Sequence, residues 1–393
     1  MATVACHAQK PETIVTFVAI EHDAEWYEEQ ARLWKAEVDK WPQGEWAWRN
    51  LFRATNYYEM FTGGHGDDPD KSRTADVIRG MEKAIPDSYV LNLSKQRFCL
   101  TTDTLTRTTD KPLKRAIELM PEDAEGDDVS NLATRLWLLD PTSPDVARLM
   151  KLTYKKNFHP APITRYNWNM LVSMEQNAIY FGNGDNCLIP AKMLQDALGV
   201  RPDVTIIPMS YLHAPEFRHY IEEKLGINPF EATKDYAEMS EKGEDWAKQY
   251  QTDMIMHIVR ESGRPAYFFT DALHQANMDK DSLYNEGLLL RYNDKPYDNF
   301  AVAMKNVKEI YHMEYLTEPQ MTYTQWDACD RMNTNYATVL GHLVKRFKEQ
   351  GDDKTAEKLY RTLRQSIISS HHDDEFKESM LQYLNEQAGV KAE

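Results

Sequence analysis

The sequence predicts an α/β fold combined with all-α regions, in which a small parallel-sheet domain is flanked by tetratricopeptide-like helical hairpins. Two patterns lead to this fold class. In the middle of the chain, short apolar runs of strand type alternate with helical segments, which is typical of parallel βαβ units. On either side, apolar residues recur every three or four positions and proline or glycine ends each run, as in helical repeats.

Four divisions of the chain follow from these patterns. Residues 1–22 are predicted to be a leader remnant or a disordered terminus, and residues 23–160 a degenerate tetratricopeptide-like helical region. An α/β domain is predicted at 165–316, and a C-terminal helical hairpin at 320–393. Prolines cluster between 141 and 162, which marks the end of the first helical region.

The first helical region is indicated by aromatic and aliphatic residues at helical spacing. Trp26, Trp34 and Val38 fall on one face of a helix, and the sequence WPQG at 41–44 then interrupts the pattern. A second helix follows it, with tryptophan, alanine and tyrosine on its predicted buried face. The segments ADVIRGMEKAIP and LKRAIELMP repeat the same rhythm of a helix closed by proline. Their irregular spacing makes this a degenerate repeat region.

Three segments in the predicted helical and α/β regions have the composition of loops. The glycine-rich residues 63–68 are predicted to be a mobile loop between helices. The acidic segments 122–128 and 235–245 are predicted to be solvated loops, because runs of like charge repel one another and favour water.

The α/β domain is indicated by four short apolar runs that are separated by helical segments. The predicted strands are 178–181, 204–209, 266–269 and 287–292. The predicted helices between them are 188–198, 218–225 and 246–260. Downstream, one apolar stripe runs from Met332 to Phe347 and a second from Ala356 to Ile367, with Gly351 between them. These two stripes predict the C-terminal hairpin.

Composition narrows the classes of function. The 393 residues include 46 Lys and Arg against 62 Asp and Glu, a net charge of −16, which argues against nucleic acid as a partner. No apolar run is long enough for a transmembrane segment. The four cysteines show no CxxC spacing, which argues against a zinc ribbon and against a disulfide scaffold.

The candidate pocket lies where polar residues follow the predicted strands. Ligands of open α/β sheets bind beyond the carboxyl ends of the strands. A carboxylate and an imidazole that meet there could act as an acid/base pair or bind a divalent metal. The candidate residues are Asn183, Gly184, Asp185, Asn186, His213, Asp271 and His274.

A structural role for the same residues is favoured. The sequence Asn-Gly-Asp-Asn also suits a tight turn into a helix, with Asp185 or Asn186 as the helix cap. A metal site is the less favoured alternative, because the chain has no HxH or HExxH ligand pair, and no cofactor is assigned. Cys187 is expected to be an inert thiol rather than a nucleophile. The sequence HHDD at 371–374 is expected to be solvated surface.

The N-terminus resembles the end of a signal sequence. The residues before Cys6 are similar to the end of a lipoprotein signal, so a lipid anchor on Cys6 is one expectation. An ordinary frayed terminus is the alternative. The expected location is the periplasm or the outer membrane, and the cytoplasm is the second choice.

A string of motifs in the α/β domain resembles a known family. The residues AIYFGNGD at 178–185, GVRPDV at 199–204, GLLLR at 287–291 and the stretch 333–351 occur in the family's order. They resemble the soluble C-terminal region of Bacteroidota membrane proteins of protein O-mannosyltransferase type, and their stand-alone exported relatives. The resemblance spans residues 165–370 and implies an α/β fold with tetratricopeptide-like helices and an exported location.

The resemblance implies no reaction for this chain. The family's presumed glycosyl transfer belongs to a membrane region that is absent here. The family continues the Asn-Gly-Asp-Asn sequence with an aspartate and a threonine, whereas Cys187 and Leu188 stand at those positions in this chain. This difference argues against a metal site with two carboxylates at the turn.

Taken together, the sequence predicts an exported binding or scaffold protein with a protein or glycan partner. Extended helical repeats bind partners through concave surfaces, and no catalytic constellation is evident in the sequence. The alternative is a metal-dependent hydrolase or a carbohydrate-active enzyme whose site lies near Asp185.

Overall fold

A computed structural model describes residues 10–66, 68–101, 110–232, 234–243, 245–270, 274, 276–317 and 326–390. The chain forms two compact units, Met1–Leu136 and Trp137–Glu393. Most described residues are helical, and a small five-stranded sheet lies in the second unit. The α/β and all-α content of the prediction is therefore confirmed, and the tetratricopeptide-like character of the helices stays a prediction.

The N-terminal unit consists of helices joined by short turns. The helices are α1 (Ala24–Lys40), α2 (Glu45–Phe61), α3 (Arg73–Ala84), α4 (Tyr89–Thr101), α5 (Asp110–Leu119) and α6 (Gly126–Leu139), the last of which extends past Leu136. Side-chain caps fix the starts of two of them, because Asp23 accepts a hydrogen bond from the Trp26 amide and Ser72 from the Ala75 amide. The helices α1 and α2 pack against each other through the predicted apolar faces.

The segment that precedes α1 is packed rather than frayed where the structure describes it. Ile14 is fully buried, its amide donates to Asn50 Oδ1 at 2.7 Å, and its carbonyl accepts from Arg53 Nη1 at 3.0 Å. Of the two alternatives predicted for residues 1–22, a disordered terminus is therefore wrong for residues 10–22, and a leader remnant stays a prediction. Cys6 lies outside the described residues.

The sequence predicts a solvated loop over the acidic segment 122–128, and this prediction is wrong for its end, although Glu122 and Asp123 are exposed in a turn. Asp127 and Asp128 begin α6 and are buried against Arg49 and Arg53 of α2. Arg53 Nη2 lies 2.5 Å from Asp128 Oδ1 and 2.7 Å from Asp127 Oδ2, and Arg49 Nε lies 2.8 Å from Asp128 Oδ2. Burial opposes ionisation of Asp127, but the two arginines outweigh it and hold its pKa below the ordinary value.

Two further predicted loops also contain ordered structure. In the segment 63–68, His65 is buried and its Nε2 lies 3.0 Å from Asn56 Oδ1 of α2. In the segment 235–245, residues Tyr236–Glu241 form a short helix, α11, which Asp235 caps by accepting a hydrogen bond from the Glu238 amide. Hydrogen bonds of polar side chains thus stabilise local structure in segments whose composition is typical of loops.

The C-terminal unit contains the sheet and the remaining helices. The strands are β1 (Ile179–Gly182), β2 (Thr205–Pro208), β3 (Ala266–Phe268), β4 (Leu283–Asn285) and β5 (Leu290–Tyr292). The other helices are α7 (Pro144–Lys155), α8 (Ala161–Ser173), α9 (Asp185–Leu198), α10 (Pro215–Leu225), α12 (Trp246–Ser262), α13 (Asn299–Lys305), α14 (Trp326–Glu349), α15 (Asp353–Ile368) and α16 (Asp374–Ala388). All four predicted strands are present.

The sheet has the strand order β2-β1-β3-β5-β4. The strand β1 pairs in parallel with β2, opposing Ile179 to Thr205, and with β3, opposing Ile179 to Ala266. The strands β3, β5 and β4 pair antiparallel, so the sheet is mixed rather than wholly parallel as predicted. A short connection of residues 286–289 joins β4 to β5, and a connection of that length permits only an antiparallel pair.

The C-terminal helices form a group of three rather than a hairpin. The predicted stripes lie on α14 and α15, which pack against each other, and α16 packs against both. The helix α14 also packs against α8, so this group lies directly beside the α/β part of the unit.

Candidate ligand-binding site

The turn that follows β1 depends on two glycines. A Cβ on Gly182 would lie 2.8 Å from Leu188 Cδ2 and 2.9 Å from the Tyr180 hydroxyl, so a larger residue there would require these side chains to move. Gly184 has φ +90° and occupies the N-cap position of α9, without a side-chain cap. Asp185 and Asn186 are the first two residues of the helix. The prediction that one of them is the N-cap is therefore wrong.

The order of the strands places this turn at a switch point of the sheet. The chain leaves β1 through α9 to reach β2 on one side, whereas β3 lies on the other side of β1. Connections that diverge in this way leave a crevice beyond the carboxyl ends of the two parallel strands, and ligands of such sheets bind there. Phe269 closes the other edge, where its amide donates to the Phe181 carbonyl at 3.1 Å.

A cavity of about 600 Å³ opens at this crevice, and we call it the strand-end cavity. The turn after β1, the end of β3 and the C-terminal helices contribute its walls. Its lining residues are Asn183, Gly184, Asp185, Asn186, Cys187, Phe269, Ala328, Arg331, Met332, Thr334, Asn335, Thr338, His372 and Phe376. The structure thus brings together the four candidate residues 183–186 and adds a wall from α14 and α16 that the sequence analysis did not include.

The side chains of α14 are held in place from behind by a buried hydrogen-bond network. Asn335 Nδ2 donates to the Tyr166 hydroxyl at 2.6 Å, and Asn169 Nδ2 donates to the Tyr336 hydroxyl at 2.8 Å. Burial raises the pKa of Tyr166 well above its ordinary value, so this hydroxyl stays protonated. The network fixes the rotamer of Asn335, which lines the cavity.

The two histidines of the HHDD sequence are engaged rather than simply solvated. His371 Nδ1 lies 2.9 Å from Oδ2 of the buried Asp330, and the same oxygen accepts from the His371 amide at 2.7 Å. These contacts fix the backbone so that His372 lines the strand-end cavity, with its Nε2 3.2 Å from Thr334 Oγ1. The His372 ring packs against Phe376 with the ring centres 4.3 Å apart. The expectation of solvated surface is wrong for His372.

The remaining candidate residues do not join this group where the structure describes them. His213 ends the short helix after β2, is exposed, and lies beside Tyr250 with the ring centres 5.9 Å apart. His274 is exposed and does not line the cavity. Asp271 lies outside the described residues. The pairing of Asp185 with an imidazole from the ends of β2 or β3 is therefore not observed for His213 or His274.

Cys187 lies at the back of the turn. Its side chain is buried, and its Sγ donates to the Asn183 carbonyl at 2.6 Å. The Tyr180 hydroxyl donates to the Cys187 carbonyl at 3.2 Å. These contacts indicate that the thiol braces the turn, in agreement with the structural role expected from the sequence.

Within the described residues, side chains spaced closely enough to bind a metal ion lie outside the strand-end cavity. Among the residues that the structure describes, the one group of three possible ligands with closely spaced atoms is Glu125, Asp127 and Asp128 in the N-terminal unit. Arg49 and Arg53 already pair with these carboxylates, so they form a salt-bridge cluster. Asp185 is the single carboxylate among the described residues that line the strand-end cavity.

The chain was compared with protein-family models and with curated proteins. Neither the protein-family models nor the curated proteins contain a match to the chain. In the described part of the chain, no helix combines the length and the apolar character needed to cross a bilayer. The family resemblance of the α/β domain stays a prediction.

Proposed function

We propose that this chain is a binding protein whose C-terminal unit holds a glycan in the strand-end cavity. The observation that carries the proposal is the position of the cavity, at the switch point of the sheet and at the start of α9. Clefts of about 300–1,000 Å³ are typical of small-molecule sites, and the cavity falls within that range.

The chemistry of the lining supports a polyhydroxylated ligand. The walls combine hydrogen-bond donors and acceptors of several types, with one carboxylate from Asp185, one guanidinium from Arg331 and amides from Asn183 and Asn335. Sugar hydroxyls both donate and accept, so they match a mixed set of this kind better than a simple anion or cation would. Phe376 supplies aromatic surface for the C–H face of a sugar ring, and the buried Phe269 forms part of the wall behind it.

Binding is a better description than glycoside hydrolysis for this cavity. Glycosidases of the common type use a pair of carboxyl groups on either side of the scissile bond. The described lining residues offer Asp185 alone. We therefore place the alternative of a hydrolase below that of a binding protein.

Two other parts of the proposal come from the sequence. Export to the periplasm is supported by the residues around Cys6 and by the family resemblance. Contact with a protein partner is supported by the helical character of the N-terminal unit. Neither part is needed for the ligand site.

The proposal is tested by titrating the protein with a panel of mono- and disaccharides, using saturation-transfer NMR to detect binding. Asp185→Asn is expected to weaken binding of a sugar from the panel about tenfold or more, since it replaces an acceptor of charge-assisted hydrogen bonds. Asp353→Asn is the matched control, because Asp353 is also the exposed first residue of a helix, α15, and lies outside the cavity. No binding of any sugar, or equal loss in both variants, would contradict the proposal.

A further inference from the structure

A second cavity of about 390 Å³ lies in the C-terminal unit, against α7, α8 and α9 and away from the turn after β1. We call it the α7–α8 cavity. Its lining residues are Thr153, Tyr154, Lys155, Asn157, His159, Ala161, Thr164, Arg165, Trp168, Met193, Leu194 and Leu198. It shares no described lining residue with the strand-end cavity, so the two cavities are separate sites.

The charge of this cavity is opposite to that of the whole chain. Lys155 and Arg165 line it, and no carboxylate does so among the described residues, although the chain carries a net charge of −16. Within the described part of the chain, the side chains of Lys155 and Arg165 form neither ion pairs nor hydrogen bonds. Arg148 of α7, by contrast, pairs with Asp145 at 2.6 Å. Two unpaired cations beside one cavity favour an anionic ligand.

One part of the cavity wall is apolar. Trp168, Met193 and Leu194 line it, and Leu198 at its edge is 48% exposed, unusually high for a leucine in this protein. Tyr154 is 39% exposed at the same cavity. Met193 and Leu194 are already buried, but a ligand that covered Leu198, Tyr154 and the half-buried Trp168 would remove apolar surface from water, which favours binding.

A buried histidine supplies an independent sign of a missing partner. His159 is only 4% exposed, and neither of its ring nitrogens has a hydrogen-bond partner among the described residues. Burial lowers the pKa of His159 to about 3, so the ring is neutral at physiological pH and carries one N–H. Buried polar groups are nearly always hydrogen-bonded in native proteins. Since both nitrogens are covered by surrounding atoms, a ligand oxygen reaches them only if the cavity wall moves.

From these contacts we infer that the α7–α8 cavity binds a small molecule that carries one anionic group on an apolar body, such as a medium-chain carboxylate. The anionic group lies near Lys155 and Arg165, and the apolar body covers Trp168 and Leu198. An oxygen of the anionic group accepts the His159 N–H.

The inference is tested by isothermal titration of the full chain with octanoate, 1-octanol, octylammonium and inorganic phosphate. Octanoate is expected to bind with a dissociation constant of about 1 mM or lower, and the three other compounds to bind at least about tenfold more weakly. Each of the three lacks one half of the proposed recognition, because octanol and octylammonium have no negative charge and phosphate has no apolar body. The His159 ring resonances are expected to shift with octanoate.

Variants locate the site. The double variant Lys155→Gln/Arg165→Gln is expected to weaken octanoate binding about fivefold to tenfold, and Ala161→Phe to abolish it by filling the cavity. Lys151→Gln is the matched control, since Lys151 is an exposed cation one turn earlier on α7 and does not line the cavity. The inference is overturned by any of three results. These are that octanoate does not bind, that octanol binds as tightly as octanoate, or that the double variant binds octanoate as tightly as Lys151→Gln does. Sugar binding at the strand-end cavity is expected to be unchanged in all three variants, which separates the two proposals.

Discussion

Buried ion pairs determine how helices pack in the N-terminal unit. Arg53 is fully buried with its guanidinium between Asp127 and Asp128, which lie about 75 residues further along the chain. Removing one partner of a buried ion pair leaves an uncompensated charge in a medium that solvates it poorly. The pair therefore specifies how α6 packs on α2 within this unit.

Asp128→Asn is expected to lower the free energy of unfolding by about 3–5 kcal/mol, because Arg49 and Arg53 both lose a charged partner. Urea unfolding of the full chain measures the change. Asp76→Asn is the control, since Asp76 forms an exposed pair with Arg79 and its loss is expected to cost less than about 1 kcal/mol. Equal effects of the two substitutions would show that the buried cluster contributes no more than a surface pair.

Glu286 is a second buried carboxyl group, and its hydrogen-bond partners are tyrosine hydroxyls rather than arginines. It accepts hydrogen bonds from the hydroxyls of Tyr267, at 3.1 Å, and Tyr297, and burial raises its pKa above the ordinary value. Between the unfolded and the folded pKa, the folded state holds a proton that the unfolded state has released. Its contribution to stability is therefore present at low pH and is lost as the pH rises through the folded pKa.

Glu286→Gln is expected to raise the free energy of unfolding at pH 7 and to flatten its fall as the pH rises above 4.5, since glutamine needs no proton to stay neutral. Urea unfolding at a series of pH values measures both effects. Glu175→Gln is a useful comparison, because Glu175 also contacts Tyr267 but is exposed. A variant whose stability falls more steeply with pH than that of the wild type would contradict this account.

At the scale of elements, the turn between β1 and α9 links the sheet to the candidate site. Gly182 fits because Leu188 and Tyr180 pack against its α-carbon, and Gly184 fits because its φ of +90° is unfavourable for residues with a Cβ. The strands and helices around the turn were predictable because their apolar periodicity is local. The cavity wall from α14 and α16 was not, because it depends on contacts between residues more than 140 positions apart, such as Asn335 and Tyr166.

Gly184→Ala is expected to destabilise the C-terminal unit by about 1–3 kcal/mol, because alanine at a φ of +90° strains the backbone. A steric clash does not contribute, since open space surrounds the new methyl group. Thermal unfolding by circular dichroism measures the loss. Gly80→Ala provides a contrast in the N-terminal unit, where the added Cβ would lie 2.7 Å from the Trp48 ring without a positive φ. An unchanged midpoint for Gly184→Ala would show that the turn tolerates another conformation.

At the scale of the molecule, the sequence was informative where patterns are local and uninformative where burial depends on distant partners. The acidic segment 122–128 looked solvated because its partners Arg49 and Arg53 lie far away in sequence. The position of His372 in the strand-end cavity could not be predicted for the same reason, since its neighbour His371 is held by Asp330 of α14. The site at Asn183–Asn186 was predictable in its location, because the ends of parallel strands meet at one edge of a sheet. Its ligand was not, since half of the wall comes from the C-terminal helices.

The measurement that tests the central claim most directly is hydrogen–deuterium exchange of the full chain with and without a sugar that binds. Amides of the first helical turn have no acceptor within the helix, so a ligand that bonds them slows their exchange. The account predicts slower exchange for peptides that cover residues 183–188 and 331–338, and no change in α1–α3. Protection confined to α1–α3, with residues 183–188 unaffected, would contradict the assignment of the strand-end cavity as the ligand site.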